Sequence, residues 1–209
     1  MERMSVNMIR AVAIASAVLV LPSSAVWTPT NLAPCTSRPA LLRDWRDSTP
    51  WPTASDSVLR EKLAPYRNRV SFDPFDSVIV GDAATRARLN EGVLWEDDSV
   101  IVIVAKPPLP RDALVVPKRE MMFPVDASPW LMDKLSRVAA ATSDAFIATA
   151  GRACSRALVS KISINPPDII RVRHLHVHVQ PPDSIAITGE NEFYARMSQR
   201  LREALSIRP

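Results

Sequence analysis

The sequence predicts an α+β fold: a mainly antiparallel five-stranded sheet, one main helix, a C-terminal helix and an N-terminal extension. Two observations lead to this prediction. The periodic segments follow the order strands, helix, strands, helix. The strand segments are short β-branched runs bounded by turn residues. With 209 residues, of which 47% are hydrophobic, the chain is long enough for one domain with a real core.

Residues 1–25 have the pattern of a signal peptide. Arg3 and Arg10 precede the apolar run Ala11–Leu21, and small residues lead up to Ala25. An apolar run of this length is well short of the roughly 20 residues that span a bilayer, so no stable membrane anchor is predicted. We expect cleavage after Ala25 and export to the periplasm or beyond. The alternatives are a buried N-terminal helix or a start at Met8, either of which implies a cytoplasmic protein.

Residues 26–75 form the predicted N-terminal extension. This segment is rich in Pro, Ser, Thr, Arg and Trp, and its periodicity is weak except for a short helix expected at Ser57–Leu63. Its aromatic residues, among them Trp27 and Trp45, would be unusual in a free tail and favour packing on the core. The alternative is a poorly ordered linker.

Residues 76–183 form the predicted catalytic domain, which begins with a short helix and three strands. The expected elements are a helix at Asp82–Asn90 and strands at Gly92–Glu96, Ser99–Ala105 and Ala113–Val116. Asp97 and Asp98 supply the first turn. The last two strand segments are rich in β-branched residues and are expected in the core.

The second half of the domain begins with the main helix. Ser128 and Pro129 are an N-cap and first-turn pair, apolar residues recur every three or four positions, and Gly151 ends the helix. Strands are expected at Ala157–Ile164 and Arg171–Gln180.

Residues 184–209 are predicted to contain the C-terminal helix, starting near Glu190. Its apolar residues are spaced four apart, as in a helix that docks on a core. They are Phe193, Met197, Leu201 and Leu205.

The three histidines of the chain, His174, His176 and His178, alternate within the last predicted strand. Since side chains alternate across a strand, these histidines and Gln180 are expected on one face, with the intervening apolar residues buried on the other. Successive Cα atoms on that face are about 6.6 Å apart, close enough for neighbouring rings to orient one another.

Three chemical interpretations of the row remain open. The first is a solvated strand face. The second is a metal site, although the outer Cα atoms are about 13 Å apart, so all three rings cannot easily bind one ion. The third is covalent catalysis, in which a neutral imidazole attacks an electrophilic phosphorus. We favour the third.

The segment His174–Val179 resembles the His-φ-His-φ-His-φ signature of the histidine triad superfamily. A second stretch supports this resemblance, since Val93–Asp98 and Leu114–Lys118 are similar to the N-terminal half of that domain. The resemblance covers about residues 75–182 and implies a histidine triad fold.

The resemblance also implies an activity: a hydrolase or transferase that cleaves a nucleotide-type phosphoanhydride or phosphoramidate through a phosphohistidine-type intermediate. His176 would be the nucleophile, His174 would support it, and His178 would contact the phosphate or the leaving group. Asn165 and Gln180 are assigned to substrate binding. The partner would be a small nucleotide or phosphate-ester substrate. No cofactor and no obligatory metal are implied, and homodimerisation is implied by the resemblance alone.

The alternatives are a relative of the CDP-diacylglycerol pyrophosphatases, which share the histidine strand, and a non-catalytic nucleotide-binding or metal-binding protein. Three departures from the family pattern bear on this choice. Val104 stands where an Asp or Asn usually binds the ribose hydroxyls. Arg111 and Asp112 stand where many members have Gly-His, and Glu120 replaces a further common histidine.

Composition excludes other classes of function. Only four glycines are present, so a P-loop or a Gly-x-Gly-x-x-Gly cradle is excluded. The net charge of +4 is dispersed along the chain, and nucleic acid binding is not implied. Cys35 and Cys154 could form a disulfide in an oxidising compartment or remain two thiols.

Export would leave a mature chain that begins at Val26. Intact-mass measurement of the exported protein tests this expectation, and a chain that keeps Met1 or begins at Met8 contradicts it.

Overall fold

The computed structural model describes residues 55–81, 92–105, 112–151, 161–182, 185 and 187–206. The signal-like segment, both cysteines and the helix expected at Asp82–Asn90 lie outside the described residues. Within these ranges, no helix is both long enough and apolar enough to cross a membrane.

The predicted α+β fold with a five-stranded antiparallel sheet is confirmed. Every pair of neighbouring strands is antiparallel, and the strand order is β1-β2-β3-β5-β4. The strands are β1 (Val93–Glu96), β2 (Val100–Val104), β3 (Ala113–Pro117), β4 (Lys161–Ser163) and β5 (Val177–Gln180). β5 therefore lies between β3 and β4, and its side chains are next to those of both.

The main and C-terminal helices are close to their predicted positions. The helices are α1 (Asp56–Arg67), α2 (Asp76–Ile79), α3 (Pro129–Thr149) and α4 (Glu190–Ser206). The Ser128 hydroxyl accepts a hydrogen bond of 3.2 Å from the backbone N–H of Leu131, as an N-cap does. After the end of α3, Gly151 adopts a φ of 67°, a left-handed conformation that favours glycine.

The two faces of the sheet are covered by different parts of the chain. On one face Val102, Val115 and Val177 lie in the core with α3 and α4. On the other face the apolar side chains of β2 and β3 pack against Phe75 and Val78. This second face also carries the histidines, because Leu114 of β3 is the direct partner of His178.

Residues 55–75, which the sequence assigns to the extension, pack into the domain core. The helix expected at Ser57–Leu63 is longer, and its Leu59 and Leu63 are fully buried. Arg60 and Arg67 of α1 both pair with Asp126, which lies in a short 3-10 turn, at 3.1 and 2.6 Å.

The strand expected at Arg171–Gln180 is shorter than predicted, and this prediction is corrected. β5 begins only at Val177. β3 ends at Pro117, which has no N–H to continue the ladder. The segment before Val177 is held by loops instead, since Arg173 N–H donates to the Phe72 carbonyl and Leu175 N–H to the Met121 carbonyl.

Because Leu63 is 1% exposed and lies in the main core, truncating it leaves a cavity. We expect Leu63→Ala to lower the free energy of unfolding by about 2–5 kcal/mol. Val58→Ala is the matched control on the same helix, since Val58 is 42% exposed. Chemical denaturation measures both variants, and an equal, small effect would show that α1 does not belong to the cooperative core.

Candidate active site

The three histidines form a row of rings on the second face of the sheet. The ring centroids of His176 and His178 are 4.8 Å apart. The Phe75 ring packs edge-on against His174 at 5.8 Å and against His176 at 5.3 Å. The rings are therefore close together even though only His178 lies in β5 itself.

His176 is held in one tautomer by a neighbouring backbone carbonyl. Its Nδ1 lies 2.8 Å from the carbonyl oxygen of His174. A carbonyl oxygen only accepts, so Nδ1 carries the proton and Nε2 keeps its lone pair. His176 as a whole residue is half-buried, whereas His174 and His178 are buried. Nε2 is consequently the ring nitrogen of the row that is suited to attack an electrophile.

The electrostatic surroundings keep this ring neutral. The pKa of His176 is lowered to about 4, mainly by burial and then by the neighbouring His178, while the hydrogen bond to the His174 carbonyl and the charge of Asp73 oppose the shift in part. A neutral imidazole is the form that acts as a nucleophile. Near pH 7 the Nε2 lone pair is therefore available.

His174 is anchored at both ring nitrogens. Its Nδ1 lies 2.8 Å from an Asp73 carboxylate oxygen, and its Nε2 lies 2.7 Å from the Pro117 carbonyl oxygen. Both partners are acceptors, which favours a ring that donates from both nitrogens. The ring thus fixes the backbone of His174, whose carbonyl in turn orients His176. The hydrogen bond between His174 and His176 is therefore made by the backbone of His174 and not by its ring.

His178 lies between a carboxylate and an amide. Its Nδ1 is 3.2 Å from Asp112 Oδ2, and its Nε2 is 3.2 Å from Asn165 Nδ2. Gln180 Nε2 donates to the same Asp112 oxygen at 3.1 Å. The two residues assigned to the substrate from the sequence thus both lie at this end of the row, Asn165 against His178 and Gln180 against Asp112.

Sequence reasoning assigned no role to Asp73, Phe75 or Asp112, which all contact the row. Asp73 is 101 positions from His174, and Asp112 is 66 positions from His178. No local spacing relates residues so far apart. For Asp112 the sequence did offer one indication of a role, since Asp112 stands where many members of the family have a histidine.

The other two departures from the family pattern, Glu120 and Val104, do not contact the histidine rings in any hydrogen bond or ring contact of the described residues. Glu120 pairs with Arg173 at 3.0 Å, and both side chains are at least half exposed. Val104 ends β2 and packs, partly buried, against the main core. Among the described residues, no group of three or more His, Cys, Asp or Glu side chains is arranged to hold a metal ion.

Comparisons with known proteins find distant structural neighbours. No family model matches the chain, and no curated protein matches it. A Zn-bound histidine triad family protein from Mycobacterium smegmatis is 20% identical, with 65% of this chain and 97% of that chain covered and a TM-score of 0.47. A histidine-triad-like protein from Bartonella henselae, described as involved in cell-cycle regulation, is 22% identical, with 63% and 95% covered and a TM-score of 0.44.

A uridylyltransferase mutant is also similar, at 12% identity and a TM-score of 0.46. This match covers 71% of this chain but only 53% of the uridylyltransferase. Histidine triad proteins are thus among the structures similar to this chain, as the histidine motif led us to expect.

We expect the His176 ring to titrate near pH 4, well below the ordinary value near ~6.5. NMR of the ring resonances measures this, with His176→Gln to assign the signal. Since the folded pKa lies below the unfolded one, the ring contributes no stability change above about pH 6.5 and destabilises the fold as the pH falls toward 4. A midpoint near 6.5 would contradict this description of the ring.

Proposed function

We propose that this chain is a metal-independent hydrolase or transferase that cleaves a nucleotide-type phosphoanhydride or phosphoramidate through His176. The observation that carries the proposal is the hydrogen bond of 2.8 Å from His176 Nδ1–H to the His174 carbonyl. That bond leaves Nε2 unprotonated and aimed away from its own backbone. A nucleophile of this kind divides one difficult displacement into two easier ones.

The reaction would have two steps. In the first, the Nε2 lone pair forms a bond to phosphorus, and the bond from phosphorus to the leaving group breaks. The proton stays on Nδ1, which continues to donate its hydrogen bond to the His174 carbonyl, so the ring carries a positive charge that balances the attached phosphate. In the second, the oxygen of water or of another hydroxyl acceptor bonds to phosphorus and gives up its proton to a neighbouring base, and the electron pair of the N–P bond returns to Nε2.

The surroundings of the ring suit this chemistry. Phe75 and His178 flank the His176 ring at 5.3 and 4.8 Å between centroids, so it has little freedom to rotate. Holding the attacking atom in one orientation is worth several powers of ten in rate when substrate geometry matches. The His174 ring, paired with Asp73, keeps the orienting carbonyl in place.

For the substrate, we propose only the reacting group, a phosphoanhydride or phosphoramidate attached to a nucleoside. Val104 offers no hydrogen bond to a ribose and packs against the main core, on the opposite face of the sheet from the histidines, so recognition of the nucleoside would depend on other contacts. A lipid-linked diphosphate such as CDP-diacylglycerol contains the same reacting group. We also propose that the activity is exported, on the basis of residues 1–25.

We expect nucleoside monophosphate release in excess EDTA from at least one member of a panel of adenosine phosphoramidate, diadenosine polyphosphate, nucleotide sugars and CDP-diacylglycerol. His176→Ala should abolish turnover, because it removes the attacking nitrogen, while ligand binding and folding remain. Chromatography of the products and circular dichroism of the variant measure these effects.

Two results would overturn the proposal. One is turnover retained in His176→Ala, and the other is turnover by the parent protein that EDTA abolishes. The intermediate offers a direct control, since label from an α-³²P substrate should stay on the parent protein in base and be released in acid, as an N–P bond requires. Binding without turnover across the whole panel would instead favour a non-catalytic nucleotide-binding protein.

A further inference from the structure

Asp112 is a buried carboxylate held against a histidine of the row. The side chains of Asp112 and His178 are 7% and 9% exposed. A buried charge is costly unless it is paired and hydrogen-bonded. Among the described residues the partners of Asp112 are His178 Nδ1 at 3.2 Å and the Gln180 amide at 3.1 Å. Of these two, only His178 can carry a compensating positive charge.

This contact determines which nitrogen of His178 keeps its proton. A carboxylate accepts, so Nδ1 donates its proton to Asp112, and Nε2 is directed toward Asn165. The carboxylate also stabilises the ring when Nε2 gains a proton and the ring becomes positively charged, as the aspartate of a catalytic triad does for its histidine. His178 can therefore exchange a proton at Nε2 while Nδ1 remains fixed.

Asn165 is matched to both forms of His178. Its amide carries N–H donors on one side and a carbonyl acceptor on the other. The N–H faces Nε2 at 3.2 Å, which suits the neutral ring. Rotation of the amide would present the carbonyl to a protonated Nε2–H. Neither protonation state of His178 then leaves a buried polar atom unsatisfied.

We propose that Asp112 is a positioning residue that makes His178 the proton carrier of the reaction. The inference rests on the proposed function of His176. In the first step, His178 Nε2–H gives its proton to the leaving group as the P–X bond breaks and His176 Nε2 bonds to phosphorus. In the second, water gives its proton to His178 Nε2 as its oxygen bonds to phosphorus and the N–P bond breaks.

The dependence on the leaving group tests this role. The probes are adenosine 5′-phosphate esters of p-nitrophenol, which leaves without a proton, and of methanol, which needs one. In single turnovers, Asp112→Asn should slow release of methanol by roughly 10²-fold or more, in the range of general acid catalysis. Release of p-nitrophenol should slow by less than about tenfold, because the nucleophile is intact.

Matched variants separate this role from a structural one. Asp126→Asn removes another partly buried carboxylate, paired with arginines, and should slow both substrates alike, if at all. Gln180→Met removes the second donor to Asp112. It should also slow release of methanol more than release of p-nitrophenol, but by a smaller factor than Asp112→Asn does. It also keeps the test available if Asp112→Asn does not fold.

Equal slowing of both esters in Asp112→Asn, or no slowing of either, would overturn the proposal. Loss of both activities in His176→Ala is expected in every case. If His176→Ala retains activity on both esters, the proposed function fails instead, and the two failures are thereby distinguished.

Discussion

The arrangement of the histidine row depends on one hydrogen bond, from His176 Nδ1–H to the carbonyl of His174. This contact is made just before β5, which begins at Val177, in a segment whose carbonyls are not engaged in a regular strand ladder. The neighbouring strand β3 ends at Pro117. Pro117 has no N–H for the ladder, and its carbonyl accepts instead from the His174 ring. The end of a strand is thus what shapes the proposed nucleophile.

Two carboxylates from different parts of the fold hold the outer histidines. Asp73 precedes α2 and pairs with His174, and Asp112 precedes β3 and pairs with His178. The middle ring has no carboxylate partner among the described residues, and its pKa is lowered to about 4, mainly by burial. A row of three identical side chains therefore acquires different properties from position alone. Burial and hydrogen-bond partners, which set protonation, differ at each ring.

Folding and the site are coupled through residues 55–75. α1 places Leu59 and Leu63 in the main core, and the chain then runs directly to Asp73 and Phe75 at the histidine row. Loss of packing in α1 would therefore disturb the position of Asp73 and, through it, of His174. The segment was expected from the sequence to pack on the core, but the local pattern contains no information on where its end would lie.

The sequence by itself determined the α+β class, the approximate positions of the strands and main helices, and the alternation of the histidines along the chain. These properties follow from short-range periodicity, capping residues and apolar runs, which act over a few residues. Only the tertiary structure decided that β5 begins at Val177, which nitrogen of His176 is free, and that Asp73 and Asp112 pair with its neighbours. Those contacts join residues 66 and 101 positions apart, and only the packing of the strands and loops brings them together.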